Sequence, residues 1–95
     1  MSNGEKLLND VAEVFGVKAT EIVSKEKGKL AVCNARGAYV LFLAGSGKSN
    51  YEIEKAIGRT RTGVLHLISQ HRTRLAIEKK FAFACELIKQ RGHKL

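Results

Sequence analysis

The sequence predicts an all-α fold of about six helices, and three observations support that prediction. Apolar residues recur at spacings of three and four in several segments, which is the period of an amphipathic helix. Glycines and polar clusters separate these segments, and none of the segments has a convincing strand pattern. With 95 residues the chain is long enough for one hydrophobic core, so we expect a single domain over residues 1–95.

The predicted helices of the N-terminal half differ in how much of their surface is apolar. Residues 5–15 have one apolar stripe and form an amphipathic helix. A single short turn of helix is expected next, beginning at Lys18 or Thr20. From about Ala31, with Asn34 as a candidate cap, apolar side chains cover most sides of the following helix. A helix with so little polar surface is expected at the centre of the fold.

Residues 49–72 predict two short helices joined by a glycine turn, which is a helix-turn-helix. Ser49 and Glu52 have the spacing of a capping box, in which each side chain accepts from a free backbone amide of the other. Gly58 can end the first helix because glycine enters the left-handed region without steric cost. Thr60 can cap the second helix, whose apolar side is expected to contain Val64, Leu65 and Ile68.

The last helix is predicted after His71 and should end near Gln90, before Gly92. Its apolar stripe contains Leu75, Ile77, Phe81, Ala84, Leu87 and Ile88. No glycine or proline separates it from the preceding helix, and we expect a bend at residues 72–74.

Positive charge is concentrated in the middle of the chain. The formal net charge is +8, and residues 27–77 contain nine Lys and Arg but only two acids, Glu52 and Glu54, which accounts for +7 of it. A surface that binds a polyanion concentrates charge in this way, because neutralising phosphates releases counterions. A membrane surface would also attract the charge, but the basic residues lie partly in loops and not along one strongly amphipathic helix. We therefore expect a nucleic-acid partner and no membrane.

Short side chains and cationic hydrogen-bond donors are concentrated at the N-terminus of the second helix of the pair. This is the end that a recognition helix inserts into the major groove. The basic loop at residues 24–29 suits phosphates or the minor groove. Lys48 lies in a connector between helices, and Arg36 is a cation that reaches either a phosphate or solvent. The expected contacts to double-stranded DNA are Lys27, Lys29, Arg36, Lys48, Ser49, Arg59, Thr60, Arg61, Thr62, Gly63, His66 and Gln70.

No nucleotide or other cofactor is expected. Residues 45–49, GSGKS, end like a phosphate-binding P-loop, but Phe42 stands where that motif requires its first glycine. The segment also follows a predicted helix, whereas a P-loop follows a strand.

The chain is not expected to be an enzyme, and no catalytic or metal site is expected. Glu52 and Glu54 are two residues apart on a helix and so point to different sides. His66 and His71 are five apart, which departs from the four-residue spacing that puts two metal ligands on one helix face.

The cysteines and the hydropathy pattern indicate the compartment. Cys33 and Cys85 have no metal-binding spacing and are expected to be small buried thiols. No apolar run approaches the ~20 residues that span a bilayer. We therefore expect a cytoplasmic protein, and the predicted DNA binding would associate it with the nucleoid.

Residues 58–66, GRTRTGVLH, resemble the recognition-helix motif of the C-terminal DNA-binding domain, domain IV, of the bacterial replication initiator DnaA. That family, which belongs to the Trp-repressor-like helical group, has glycine, arginine, aspartate, histidine, two threonines, valine, leucine and histidine at these positions, so six of nine agree. Residues 11–25, VAEVFGVKATEIVSK, are similar to its first two helices and the entry to its basic loop.

The resemblance implies specific roles. Arg59 and Thr62 would hold phosphates or base edges, His66 would contact the backbone, and Lys27 would stand where the family sends an arginine into the minor groove. Three departures change the residues that read bases: Thr60 replaces an aspartate, Arg61 a histidine and Gly63 a threonine. The chain also lacks the family's nucleotide-binding module.

Two kinds of nucleic-acid binder therefore remain open. The first is a sequence-specific double-stranded DNA-binding protein that acts at a replication origin or regulates initiation or transcription. The second binds structured RNA, or nucleic acid without sequence preference. Replication or transcription proteins are candidate partners, and the sequence does not decide between a monomer and a dimer.

Overall fold

The computed structural model describes residues 3–26 and 28–95, and within them the chain forms six helices and no strand. The helices are α1 (Asn3–Phe15), α2 (Ala19–Ile22), α3 (Leu30–Gly45), α4 (Asn50–Ile57), α5 (Arg61–Ile77) and α6 (Lys79–Lys89). The prediction of an all-α fold is confirmed. None of the helices in the described part of the chain is long and apolar enough to cross a membrane.

Helix α3 lies at the centre, as its apolar composition predicts. It packs against α1, α2, α4 and α5, while α6 closes the other side of α1 and α5. Side chains are buried on every side of α3, including Ala35, Ala38, Val40 and Phe42. A helix that is covered by four neighbours contains few polar residues, because each buried polar side chain costs free energy unless it has a hydrogen-bond partner.

The ends of α4 and the start of α5 form as the sequence predicts. Ser49 Oγ accepts from the Glu52 amide at 3.2 Å, and Glu52 Oε1 accepts from the Ser49 amide at 3.2 Å. Gly58 ends α4 with φ of 63°, in the left-handed region. Thr60 Oγ1 accepts from the Gly63 amide at 3.2 Å and caps α5. Gly58 and the Thr60 cap therefore define the turn at residues 58–60.

Two predicted features of the helices are wrong. Helix α3 begins at Leu30, so Asn34 is not its cap; Asn34 Oδ1 instead accepts from Arg74 Nη1 at 2.6 Å. Helix α5 continues without a bend through residues 72–74 and ends at Ile77. Arg74 pairs with Glu78 one turn further on, Nε to Oε2 at 2.7 Å, which supports helix through the segment where the bend was predicted.

The two cysteines differ. Cys85 is buried, as predicted, and burial raises the pKa of its thiol to about 11. Cys33 is only half-buried, so the prediction of two buried thiols is wrong for this residue. Cys33 lines a groove beside α5.

Candidate nucleic-acid interface

One side of α5 is buried and the other is exposed along its whole length. Val64, Ile68 and His71, at spacings of four and three, face the core. The exposed positions begin in the first turn of α5, directly after the Thr60 cap, and up to residue 73 they are Arg61, Thr62, Leu65, His66, Ser69, Gln70, Arg72 and Thr73. We call these eight residues the α5 face. It contains no carboxylate and two arginines, so its own charge is positive.

Leu65 belongs to the α5 face and not to the core. Its side chain is 46% exposed, whereas the neighbouring Val64 is fully buried. The prediction that Leu65 packs on the apolar side of α5 is therefore wrong. One residue corresponds to a rotation of about 100° around a helix, which carries position 65 away from the stripe that Val64 and Ile68 occupy.

Residues 25 and 26 of the basic loop lie against the turn between α4 and α5. Arg59 Nη2 donates to the carbonyl oxygen of Glu26 at 3.4 Å, and the Lys25 side chain lies beside Gly58. The fold thus places the loop and the N-terminus of α5 next to each other although they are far apart in sequence. Lys29 is exposed at the start of α3. Lys27, also predicted to bind DNA, lies outside the described residues.

The prediction that Arg36 contacts phosphate is wrong. Its side chain is 3% exposed, and its guanidinium donates to four backbone carbonyls that precede α3. Nε reaches Ile22 at 2.8 Å, and Nη2 reaches Glu21 at 2.9 Å, Glu26 at 3.0 Å and Ser24 at 3.2 Å. Burial lowers the pKa of this group, and the charge of Arg59 lowers it further. Arg36 therefore holds the basic loop in place from inside.

The remaining predicted residues lie on two separate parts of the surface. Arg59, Thr60, Arg61, Thr62, Gly63, His66 and Gln70 follow one another through the turn and along α5. Lys48 and Ser49 lie at the opposite end of α4, whose eight residues span about 12 Å. Lys48 is exposed, and its Nζ lies 3.8 Å from Glu52 Oε2. The Ser49 hydroxyl accepts from the Glu52 amide and donates its proton to Glu52 Oε1 at 3.1 Å, so the cap already uses both of its hydrogen-bonding functions.

Charge near the α5 face is poorly compensated within the described residues. Their ion pairs involve Lys48, Arg74, Lys89, Arg91 and His93. None of them includes Lys25, Lys29, Arg59, Arg61 or Arg72. A positive surface without carboxylate partners attracts anions over several ångströms and gains most from neutralisation.

Three residues that the sequence did not identify contribute to this region. His71 is 4% exposed and packs on Gly37 and on Phe81, at 5.6 Å between ring centroids. Arg74 joins α5 to α3 through Asn34, and Lys25 lies beside the turn. The spacing from Val64 through Ile68 to position 71 is the signal that places His71 on the buried stripe. Because histidine is polar, its residue type alone does not predict burial.

No group of three or more His, Cys, Asp or Glu side chains is arranged to hold a metal ion in the described part of the chain. No protein-family model matches the sequence, and no curated protein matches it either.

Proposed function

We propose that this protein binds double-stranded DNA, with α4, the turn and α5 acting as a helix-turn-helix and α5 as the recognition helix. The observation that carries the proposal is the α5 face: exposed hydrogen-bond donors and arginines from the first turn onward, without a carboxylate. Helices that read the major groove present their N-terminal side chains to base edges. Arg61 and Thr62 occupy those positions here.

The basic loop supports the same orientation. Arg36 holds the loop from inside, and Arg59 joins it to the turn. A cationic loop beside the N-terminus of a recognition helix can contact phosphates or the minor groove next to the major groove that the helix enters. In this proposal Lys29, Lys48 and Arg59 contact phosphates, and Arg61, Thr62 and His66 lie nearest to the bases.

The resemblance of residues 58–66 to the DnaA recognition-helix motif supports duplex DNA as the ligand. We propose a DnaA domain IV-like module that acts by occupying its site, at a replication origin or as a regulator of initiation or transcription. Such a role requires no catalytic group and implies association with the nucleoid. Selection of bound sequences from a random duplex pool identifies the preferred site and shows whether it is similar to a DnaA box.

A salt titration tests the proposal. Affinity for a fluorescently labelled duplex, measured by anisotropy, should fall with salt with a log–log slope of roughly −4 to −7, because about five to eight phosphates are neutralised. Lys48→Ala should reduce the magnitude of that slope by about one unit. Lys89→Ala, on α6 and outside the proposed interface, is the matched control and should leave it unchanged. A slope near zero contradicts the proposal.

The same titration with double-stranded RNA separates the two kinds of nucleic-acid binder. The major groove of A-form RNA is too deep and narrow for side chains to read, so α5 should not enter it. We expect RNA to bind more weakly than DNA of the same length, and without sequence preference. Tighter binding to a structured RNA would contradict a DNA-specific function.

A further inference from the structure

Leu65 is the only apolar side chain of the α5 face. It is 46% exposed, and the other seven members of the face are polar or cationic. The core does not use it, because Val64 and Ile68 already belong to the buried stripe of α5. The other large exposed apolar side chains in the described part of the chain lie on α3, on α4, at the C-terminal end of α5, on α6 and at residue 95. Leu65 is thus isolated among hydrogen-bonding groups on the surface that we propose faces DNA.

The position of Leu65 on the helix brings it to the N-terminal end of the α5 face. It follows Arg61 by four residues and Thr62 by three, and residues at these spacings are neighbours on a helix surface. Long side chains in helices lean towards the N-terminus, which directs Leu65 towards the turn that contains Arg61 and Thr62. Its Cα lies about 6 Å along the axis from that of Arg61, whereas the major groove is about 8.5 Å deep. A helix that enters the groove by its N-terminus therefore brings Leu65 within reach of base edges.

Base edges in the major groove present one kind of apolar group. Guanine, adenine and cytosine offer hydrogen-bond acceptors and donors there, while thymine adds its C5 methyl group. Against a polar edge, a leucine side chain displaces water and offers no hydrogen bond in return, which costs free energy. Against a thymine methyl group, it buries apolar surface on both sides of the contact, which is favourable. The chemistry of Leu65 therefore favours thymine over the other three bases.

We propose that Leu65 determines specificity for thymine by packing on its C5 methyl group. The inference rests on the proposed function, since it requires α5 to enter the major groove of DNA. Successive base pairs are about 3.4 Å apart, so the axial separation of about 6 Å between Arg61 and Leu65 corresponds to roughly two base pairs. The thymine therefore lies within about two base pairs of the base that Arg61 contacts.

Removal of single methyl groups from the DNA tests the proposal. The duplex contains the site selected with the wild-type protein, and each of its thymines is replaced in turn by uracil, which differs only by the missing methyl group. At the position that Leu65 contacts, the replacement should lower the affinity about three- to fivefold, the effect of no longer burying one methyl group. Fluorescence anisotropy at one fixed salt concentration measures each affinity, because binding to DNA depends on salt.

Leu65→Ala and Ile77→Ala form a matched pair for the same measurement. Leu65→Ala should bind the thymine and uracil duplexes with nearly equal affinity, because the side chain that meets the methyl group is gone. Ile77 is 72% exposed on the same helix but lies twelve residues further along, about 18 Å from Leu65. Ile77→Ala should therefore retain the full wild-type difference between the two duplexes. Both side chains are exposed, so circular dichroism should show that both variants are folded.

A methylated cytosine separates the effect of the methyl group from that of the rest of the base. Replacing the same T·A pair by C·G should weaken binding to the wild-type protein. We expect 5-methylcytosine to restore part of the lost affinity, because it carries a methyl group at the same place in the major groove. Leu65→Ala should not distinguish cytosine from 5-methylcytosine at this position.

These measurements distinguish a failure of the inference from a failure of the proposed function. If the duplex binds but no uracil replacement changes the affinity, the proposal for Leu65 is overturned and the proposed function stands. The same holds if Leu65→Ala lowers the affinity for thymine and uracil duplexes by the same factor, because Leu65 then contacts the DNA backbone and reads no base. If the wild-type protein binds no duplex, the proposed function fails and the inference fails with it.

Discussion

Arg36 and Arg59 donate to the same acceptor, the backbone carbonyl oxygen of Glu26, at 3.0 Å and 3.4 Å. Arg36 reaches it from inside the fold and Arg59 from the turn before α5. Two like charges on one oxygen repel each other, and the pKa of Arg36 is lowered by burial and by the charge of Arg59. The arrangement fixes the basic loop to the turn although the two charges repel each other.

Arg36→Met should destabilise the protein by about 3 kcal/mol, because four carbonyls lose a charged donor and a buried polar network is broken. Urea unfolding followed by circular dichroism measures the change. Arg72→Met removes an exposed arginine from α5 and should stay within about 0.5 kcal/mol of the wild type. If the two variants have the same stability, Arg36 does not support the loop.

Gly37→Ala should be strongly destabilising, because the added Cβ would overlap the His71 ring. The expected loss is about 1–3 kcal/mol, as for other overpacked cores. Gly63→Ala is the control: its Cβ would come no closer than 3.4 Å to any neighbour, and alanine favours a helix by about 1 kcal/mol over glycine. We therefore expect a higher melting temperature for Gly63→Ala and a lower one for Gly37→Ala. The opposite order would refute the packing of His71 on Gly37.

Stability should fall as the pH is lowered below about 6.5, because His71 is buried without charge. Burial lowers its pKa below the ordinary 6.5, so the unfolded chain binds a proton first. The contribution is fully present above pH 6.5 and is lost as the pH falls towards the lowered value, with a slope of at most about 1.4 kcal/mol per pH unit. The pKa of Asp10 is lowered from its ordinary 3.8, so its contribution is lost only at more acidic pH.

Urea unfolding at several pH values between 8 and 5 measures the slope. In His71→Phe the slope should be smaller. In His66→Gln, which removes an exposed histidine from the α5 face, it should be close to that of the wild type. If the slope disappears in His66→Gln and persists in His71→Phe, the pH dependence comes from His66, and the prediction for His71 is contradicted.

Arg61→Ala should change the preferred DNA sequence as well as the affinity. Arg61 is exposed in the first turn of α5, and arginine can donate two parallel hydrogen bonds to O6 and N7 of guanine. We expect a loss of ~1–3 kcal/mol on the preferred site and a much smaller loss on a site with adenine at that position. Arg72→Ala should weaken all sequences equally, as a phosphate contact does. If selection with Arg61→Ala returns the wild-type motif, Arg61 contacts phosphate and does not read a base.

The sequence by itself determined the all-helical fold and the helix ends at residues 49–60, because these ends depend on neighbours within a few residues. The capping box of Ser49 and Glu52, the left-handed Gly58 and the Thr60 cap are local hydrogen bonds or local backbone preferences, and each is present as predicted. The central place of α3 was also predictable, since a helix that is apolar on most sides must be covered by others.

Only the tertiary structure decided the roles of the polar residues. In the sequence, Arg36 and Arg61 are both arginines of predicted helices, yet one is buried against carbonyls of a distant loop and the other is exposed. Leu65, predicted on the apolar side of α5, is exposed and His71 is buried, because the position of α5 against α3 sets which stripe faces the core. A side chain's partners across the fold depend on that placement, which no local pattern along the chain records.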